Sequence, residues 1–375
     1  MQLERLWLAD FRNYAAADVV LAPDALSVVV GGNGQGKTNL IEAVAYLATL
    51  SSFRGAPPEA LVRTGAASAV VRAEGRREGR DLLIEVEINP AGRSRTLVNH
   101  QPLRRAADLL GALRVTLFSP DDLELVKAGP SGRRRWLDDA LTALHPRNAA
   151  LRADAERVLR QRNALLKQCR GRLDPSAAAT LDVWDAKWAA AGEALAAARA
   201  GLVGAVEIPI AKAYDQVAGA PADVGVGYER SWDGPLAAAL AAARDDDVRR
   251  GLTTTGPHRD ELRLTIGGVP ARTHASQGEQ RSLALALRLA VHAAVAEAVG
   301  EPPVLLLDDV FSELDPMRRA HLVRRIGELP QAFITTTTLA DLDPALVTAS
   351  TAWAADGGRL PVSYTHLTLP TTPYV

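Results

Sequence analysis

A single cysteine, Cys169, in 375 residues leaves no intrachain disulfide and no multi-cysteine zinc site. It fits a reducing compartment, and by its setting reads as a packed or solvated helix thiol. Neither sign of charge is in excess: the net value is −1, so no global field draws the chain to nucleic acid and any such contact must come from local patches. Aromatics make up only 5%, which leaves few platforms for stacking bases. The N-terminus, Met1-Gln2-Leu3-Glu4-Arg5, lacks the basic-then-apolar order of a signal peptide, which argues against secretion. No long apolar run is free of charge. The most apolar stretch, Ser282 to Val299, carries Arg288, His292 and Glu297, so it reads as a buried helix rather than a membrane span. These absences point to a soluble cytoplasmic protein. At 47% hydrophobic, the chain is long enough for two or three domains.

What is present is sharper. The octet Gly31-Gly32-Asn33-Gly34-Gln35-Gly36-Lys37-Thr38 follows the apolar run Leu26 to Val30 and precedes a helical stretch, Leu40 to Leu50. A GxxxxGKT loop between strand and helix turns successive backbone N–H groups toward phosphate oxygens, while the lysine reaches the β/γ-phosphates and the threonine hydroxyl reaches Mg²⁺. Its glycines let phosphate approach the backbone closely.

Residues 1 to 117 read as β-rich, with short apolar or alternating runs at Leu3 to Leu8, Val19 to Leu21, Leu26 to Val30, Ala69 to Ala73, Leu82 to Ile88 and Thr96 to Val98. From 118 to 250 the character turns to alanine, arginine and leucine at helical spacing, an inserted helical arm lobe broken at Gly171 and Pro175. Its second helix is expected from about Ser176 to Val203, continuing unevenly toward Val217. Helices of roughly 25 to 40 residues span on the order of 40 to 60 Å, an arm rather than a long coiled coil. Residues 251 to 361 resume strand and helix in alternation, giving an α/β class. The stretch 362 to 375, rich in Thr and Pro, does not match what precedes it and reads as non-native or disordered tail.

The acidic partner of the glycine loop lies far along the chain. Val304-Leu305-Leu306-Leu307-Asp308-Asp309 is a buried-strand pattern ending in two acids, of which Asp308 suits Mg²⁺ and Asp309 suits the attacking water. Upstream, Ser276-Gln277-Gly278-Glu279 opens a helix; alone it is a helix cap, but the Ser276 hydroxyl and Gly278 backbone could also face an anion.

This order of motifs looks like the ABC-type P-loop ATPase head, a mixed sheet with flanking helices. Asp10-Phe11-Arg12-Asn13-Tyr14, Ser52-Phe53-Arg54, Phe118-Ser119-Pro120-Asp121-Asp122-Leu123, Gly132-Arg133-Arg134-Arg135, Gly256-Pro257-His258-Arg259-Asp260 and Ser312-Glu313-Leu314-Asp315 are similar to the bacterial RecF family, across residues 1 to 361. The resemblance implies ATP and Mg²⁺ as cofactors and an ATP-dependent homodimer in which Ser276 and Gly278 close over the partner's nucleotide. It also implies action on gapped or junction DNA, with RecO and RecR, in loading RecA onto strands coated by single-strand-binding protein (SSB) and in SOS induction. Arg12 then becomes a phosphate contact from the side; otherwise it is a surface arginine.

Two departures bear on rate. Asp309 stands where many such ATPases place glutamate, and Thr335 to Thr338 stand where a switch histidine is common. Displacing a base by roughly 1 Å costs on the order of a hundredfold, so slow hydrolysis is expected. A threonine there can still hydrogen-bond a γ-phosphate. His258 reads as a buried structural histidine, and Asp121 and Asp122 as a helix cap after Pro120. For DNA the candidates are Lys127, Arg133, Arg134 and Arg135, then Arg76, Arg77 and Arg80, and Arg93 with Arg95, each set otherwise a solvated face. The alternatives are the motor subunit of a transporter, whose ATPase ignores DNA, and a nuclease-associated ATPase, which needs a further metal-dependent domain.

Overall fold

The computed structural model describes residues 1–21, 26–311, 314–342, 344 and 350–360. Ser312, Glu313 and the stretch 362–375 lie outside them. The chain divides into two compact units, Met1–Asp122 with Asp215–Ala220 and Leu287–Val375, and Leu123–Tyr214 with Pro221–Ala286.

The first unit holds two sheets. One is antiparallel, ordered β2 (Tyr14–Val20), β1 (Gln2–Phe11), β4 (Ala69–Arg77), β5 (Arg80–Ile88), β6 (Arg95–Val98) and β7 (Gln101–Pro102). Alternate residues of β4 are buried, the period-two pattern of a sheet packed on one face. The other sheet is parallel, ordered β14 (Thr351–Ala354), β3 (Leu26–Val30), β13 (Ala332–Thr336), β12 (Val304–Leu307) and β8 (Val115–Phe118). All four residues of β12, Val-Leu-Leu-Leu, are buried, as expected of an inner parallel strand.

A register shift in β1 between Leu3 and Arg5 interrupts its ladder with β4. The Gln331 amide meets Leu3 there: Leu3 N–H donates to Gln331 Oε1 at 2.8 Å, and Gln331 Nε2 donates to the Leu3 carbonyl at 2.7 Å. One buried side chain thus satisfies both backbone polar groups of Leu3, tying one sheet to the residue before β13.

The second unit carries helices Pro130–Leu144, Ala149–Cys169 and Leu236–Arg250, much of Pro175–Ala218, and a small sheet of β11 (Val269–Pro270), β10 (Glu261–Ile266) and β9 (Val224–Glu229). Trp188, Leu195, Leu236 and Leu240 form its core. The helix expected to run unevenly to Val217 is continuous over 44 residues, through Pro209. The lobe does not end at residue 250 as expected: β10 and β11 pair with β9 rather than with either large sheet, so the unit extends to Ala286. The helix Gln277–Val299 is long and apolar enough to cross a membrane, but Leu283 to Leu287 along it are buried inside the protein.

Candidate nucleotide site

The glycine loop joins β3 to the helix Lys37–Thr49, and the first sheet and the segment after β14 brace it from behind. Asn13 Nδ2 donates to the Gln35 carbonyl at 3.2 Å and Tyr14 Oη to the Gly36 carbonyl at 3.0 Å. Gly357 N–H donates to Gln35 Oε1 at 2.6 Å, and Gly358 N–H to the Gln35 carbonyl at 3.1 Å. Gly36 has φ 112°, and a Cβ there would stand 2.7 Å from Asn13 Nδ2, so both conformation and space demand glycine. No side chain caps the helix that follows, which leaves its first N–H groups directed at the loop. Gly32, Asn33 and Gly34 are exposed, whereas Gly36 and Lys37 are buried.

Lys37 is folded onto its own loop: Nζ donates to the Gly31 carbonyl at 2.6 Å and to Gly32 at 2.9 Å. Beside it, Thr38 Oγ1 donates to Asp308 Oδ1 at 3.0 Å, so hydroxyl and carboxylate oxygens from residues 270 positions apart meet. That pairing of hard oxygen donors fits a Mg²⁺ ion that keeps some of its waters. Burial pushes the Asp308 carboxyl up, opposed by hydrogen bonds from Thr335 and Thr38. Asp309 lines a cleft of about 790 Å³ together with Asn33, Gly34, Gly36, Lys37 and Thr38, and its backbone is left-handed at φ 46°.

Arg12 lines the same cleft, but its guanidinium is already engaged. Nε and Nη2 pair with both oxygens of Glu42 at 2.7 Å, and Nη1 donates to the Ala60 carbonyl at 2.8 Å. Glu42 itself is fully buried and also accepts from Ser52. It is a hub that sequence reading missed; the signal available was a lone acid at an apolar position of the helix. The cleft also brings in Arg54, Glu59, Arg63 and Thr64, none of which was singled out as a site residue.

Thr335 does not sit free for a γ-phosphate. Its hydroxyl is fully buried, donating to Asp308 Oδ1 at 2.7 Å and accepting from Asp309 N–H at 2.9 Å. Thr336 and Thr338 hydroxyls are spent on local backbone, and the Thr337 side chain is exposed.

Ser276 and Gly278 belong to the second unit. Ser276 Oγ accepts from Glu279 N–H at 3.3 Å while Glu279 Oε2 accepts from Ser276 N–H at 2.7 Å, a reciprocal capping box on an exposed helix start.

Of the basic residues proposed for DNA, Arg133 is a correction. Its side chain is 7% exposed, bonded to both Glu261 oxygens and to the Leu125 and Ala128 carbonyls, leaving no face for phosphate. Arg134 donates to the Asp260 carbonyl and is half-buried; Arg135 is exposed and Lys127 half-buried. Arg76 is exposed beside Glu4 and Asp81, Arg77 is tied to the Gly111 carbonyl and Glu78, and Arg80, Arg93 and Arg95 are exposed. His258 packs edge-on against Trp188 and bonds the Thr253 carbonyl, and burial lowers its basicity. Asp122 accepts from Ser119 N–H and pairs with Arg288.

Comparison with known proteins follows the same lines. The family profile of the RecF/RecN/SMC N terminal domain matches residues 2–350. The DNA replication and repair protein RecF of Frankia alni is 45% identical over 97% of this chain and 100% of its own length, and that of Streptomyces avermitilis is 44% identical over 96% and 99%. Among solved structures, the recombination mediator protein "RecF-ATP in RecFOR pathway" superposes with TM-score 0.87 at 27% identity, covering 97% of each chain. An Smc head domain from Pyrococcus furiosus shares the fold at TM-score 0.57 and 15% identity, covering 97% of this chain and 96% of that one. With two sheets, a glycine loop and an acidic strand end arranged as in an ABC-type ATPase head, the chain belongs to the RecF family of DNA replication and repair proteins.

Proposed function

We propose that this protein is an ATP-dependent clamp on gapped or junction DNA in recombinational repair. The observation that carries the reading is that Lys37, Thr38 and Asp309 line one cleft, with Asp308 hydrogen-bonded to Thr38. In it, Lys37 would leave the Gly31 and Gly32 carbonyls for the β/γ-phosphates of ATP, and the loop N–H groups would cradle the phosphate oxygens. Thr38 and Asp308 would hold Mg²⁺, which would supply neutralisation of phosphate charge. Asp309 orients or deprotonates the attacking water, and as the shorter acid does so slowly, giving a weak ATPase that DNA stimulates.

The exposed Ser276 hydroxyl keeps its proton while its oxygen serves the helix cap, so it is able to donate to a γ-phosphate on a second copy of the chain. ATP therefore stabilises a sandwiched homodimer, and DNA and ATP affinities reinforce each other. Lys127, Arg134, Arg135, Arg76 and Arg77 remain the proposed backbone contacts, without sequence preference. RecO and RecR act with the clamp to load RecA on SSB-coated strands in the cytoplasm and so promote SOS induction. Solved RecF structures described with ATP in the RecFOR pathway support this assignment. Sedimentation with ADP or ATP, with and without gapped duplex, tests it: equal monomer fraction and equal DNA affinity in all conditions sink the model.

A further inference from the structure

We propose that Thr335 is a positioning residue for ATP hydrolysis, joining the Asp308 carboxylate to the backbone N–H of Asp309 through a single hydroxyl. The inference rests on the nucleotide assignment above and goes beyond it.

Three observations meet at this side chain. Strand β13 is buried at every position, Ala332-Phe333-Ile334-Thr335-Thr336, a setting where valine fills the same shape without a polar atom to satisfy. The Thr335 hydroxyl is satisfied on both sides, donating to Asp308 Oδ1 and accepting from Asp309 N–H. And Asp309, the acceptor's neighbour, has a left-handed backbone at φ 46°, sparsely populated by residues other than glycine.

Together these give the hydroxyl a definite task. An ionised Asp308 is acceptor-only, so Thr335 must donate to it, and the oxygen's lone pair then faces the Asp309 N–H. Donation to a carboxylate strengthens that oxygen as an acceptor, so the state of Asp308 that suits a metal ion is also the state that best grips the Asp309 backbone. Oδ1 of Asp308 takes both hydroxyls, from Thr38 and Thr335, which orients the carboxylate about its own axis. The aspartate side chain, one methylene shorter than glutamate, leaves little slack for error in backbone placement. Fixing φ at Asp309 supplies the accuracy that side-chain reach does not.

The test compares Thr335→Val, which keeps shape, with Thr335→Ser, which keeps the hydroxyl, in the full-length protein. ATP affinity is measured with Mg²⁺ and with EDTA, alongside kcat and KM and thermal melting. Thr335→Val is expected to leave EDTA-state ATP affinity within about threefold, while kcat and the Mg²⁺-dependent gain in affinity fall about 10- to 100-fold, as for losing a partner that orients a metal ligand, and KM measured with Mg²⁺ rises as that gain is lost. Thr335→Ser is expected to restore both. Unchanged kcat and Mg²⁺ gain in Thr335→Val, or a serine variant as poor as valine, overturns the proposal. A wild-type protein that neither binds nor hydrolyses ATP overturns the nucleotide reading itself, and is told apart because it appears before any substitution is made.

Discussion

Lys37 Nζ lies 2.6 Å from the Gly31 carbonyl oxygen, so the phosphate-reaching lysine is held inside the loop that it serves. Nucleotide binding at this site is an exchange of one charge-assisted hydrogen bond for another rather than the capture of a free cation. Lys37→Ala removes the phosphate partner, and the affinity for ATP measured by calorimetry is expected to fall roughly 10- to 150-fold, the worth of one hydrogen bond to a charged group. Dimer formation on ATP is expected to go with it; a normal ATP-dependent dimer in sedimentation contradicts the site assignment.

Glycine at position 358 is required by its neighbour rather than by the ligand. Its φ is +80°, and a Cβ would stand 2.2 Å from the Asn13 carbonyl oxygen. Gly358→Ala is expected to cost about 1 to 3 kcal/mol in chemical denaturation and to weaken ATP binding through the displaced Gln35 carbonyl. A variant with wild-type stability removes the brace from the account.

Arg133 and Arg135 are two residues apart and separate two kinds of effect. Arg133→Ala leaves Glu261 with the Leu262 N–H alone and removes the guanidinium from two carbonyls, and the expected loss is about 1 to 3 kcal/mol of stability. Arg135→Ala is expected to leave stability within about 0.5 kcal/mol. If it meets DNA, the slope of log affinity against log salt becomes shallower by about 0.9 for the lost phosphate contact. The same measurement on gapped duplex checks both variants, and an unchanged slope strikes Arg135 from the DNA face.

The order of legibility in this chain follows the range of the forces. Strands β3 and β12 were readable because runs of Val and Leu of strand length have few other uses. Strand β9, Val-Gly-Val-Gly-Tyr-Glu, was lost inside a helical stretch because two glycines erase its pattern, and β14, Thr-Ala-Trp-Ala, is too short and alanine-rich to announce itself. In the site, the glycine loop and Asp308 were legible because phosphate geometry imposes residue types at fixed local spacing. Arg133 was misread because its partner Glu261 is 128 positions away, and a charge run gives no sign of which member turns inward. Glu42 escaped, and Thr335 was read toward a γ-phosphate instead of Asp308, for a related reason: their partners, Arg12 and Asp308, come from segments distant in the sequence.

His292 gives the first unit an acid limit. Burial holds it at about 4, with Nδ1 against Thr116 Oγ1 at 3.1 Å. The folded value lies below the ordinary 6.5, so between those values the unfolded chain binds the proton and the folded chain does not. Stability therefore falls as pH drops from 6.5 toward 4, by up to about 3 kcal/mol. His292→Gln is expected to flatten that part of the pH–stability curve; an unaltered slope in urea unfolding assigns the acid limit elsewhere.

Ser276→Ala removes the capping partner of Glu279 as well as the proposed donor to a second copy. Monomer ATP affinity is expected to be unchanged, helix stability to drop about 1 kcal/mol, and ATP-dependent dimerisation to weaken, read by sedimentation against nucleotide binding. Weaker ATP binding by the monomer contradicts the assignment across subunits.

The phosphate loop is braced by Asn13 and Tyr14 and also by Gly357 and Gly358, residues far apart in the sequence. During synthesis the glycine loop leaves the ribosome early, yet its last supports emerge some 320 residues later. A nascent or prematurely terminated chain carries the whole nucleotide motif without the frame that shapes it. A chain cut before Gly357 therefore loses both hydrogen bonds that reach Gln35 from the far end of the fold, whatever the state of the glycine loop itself.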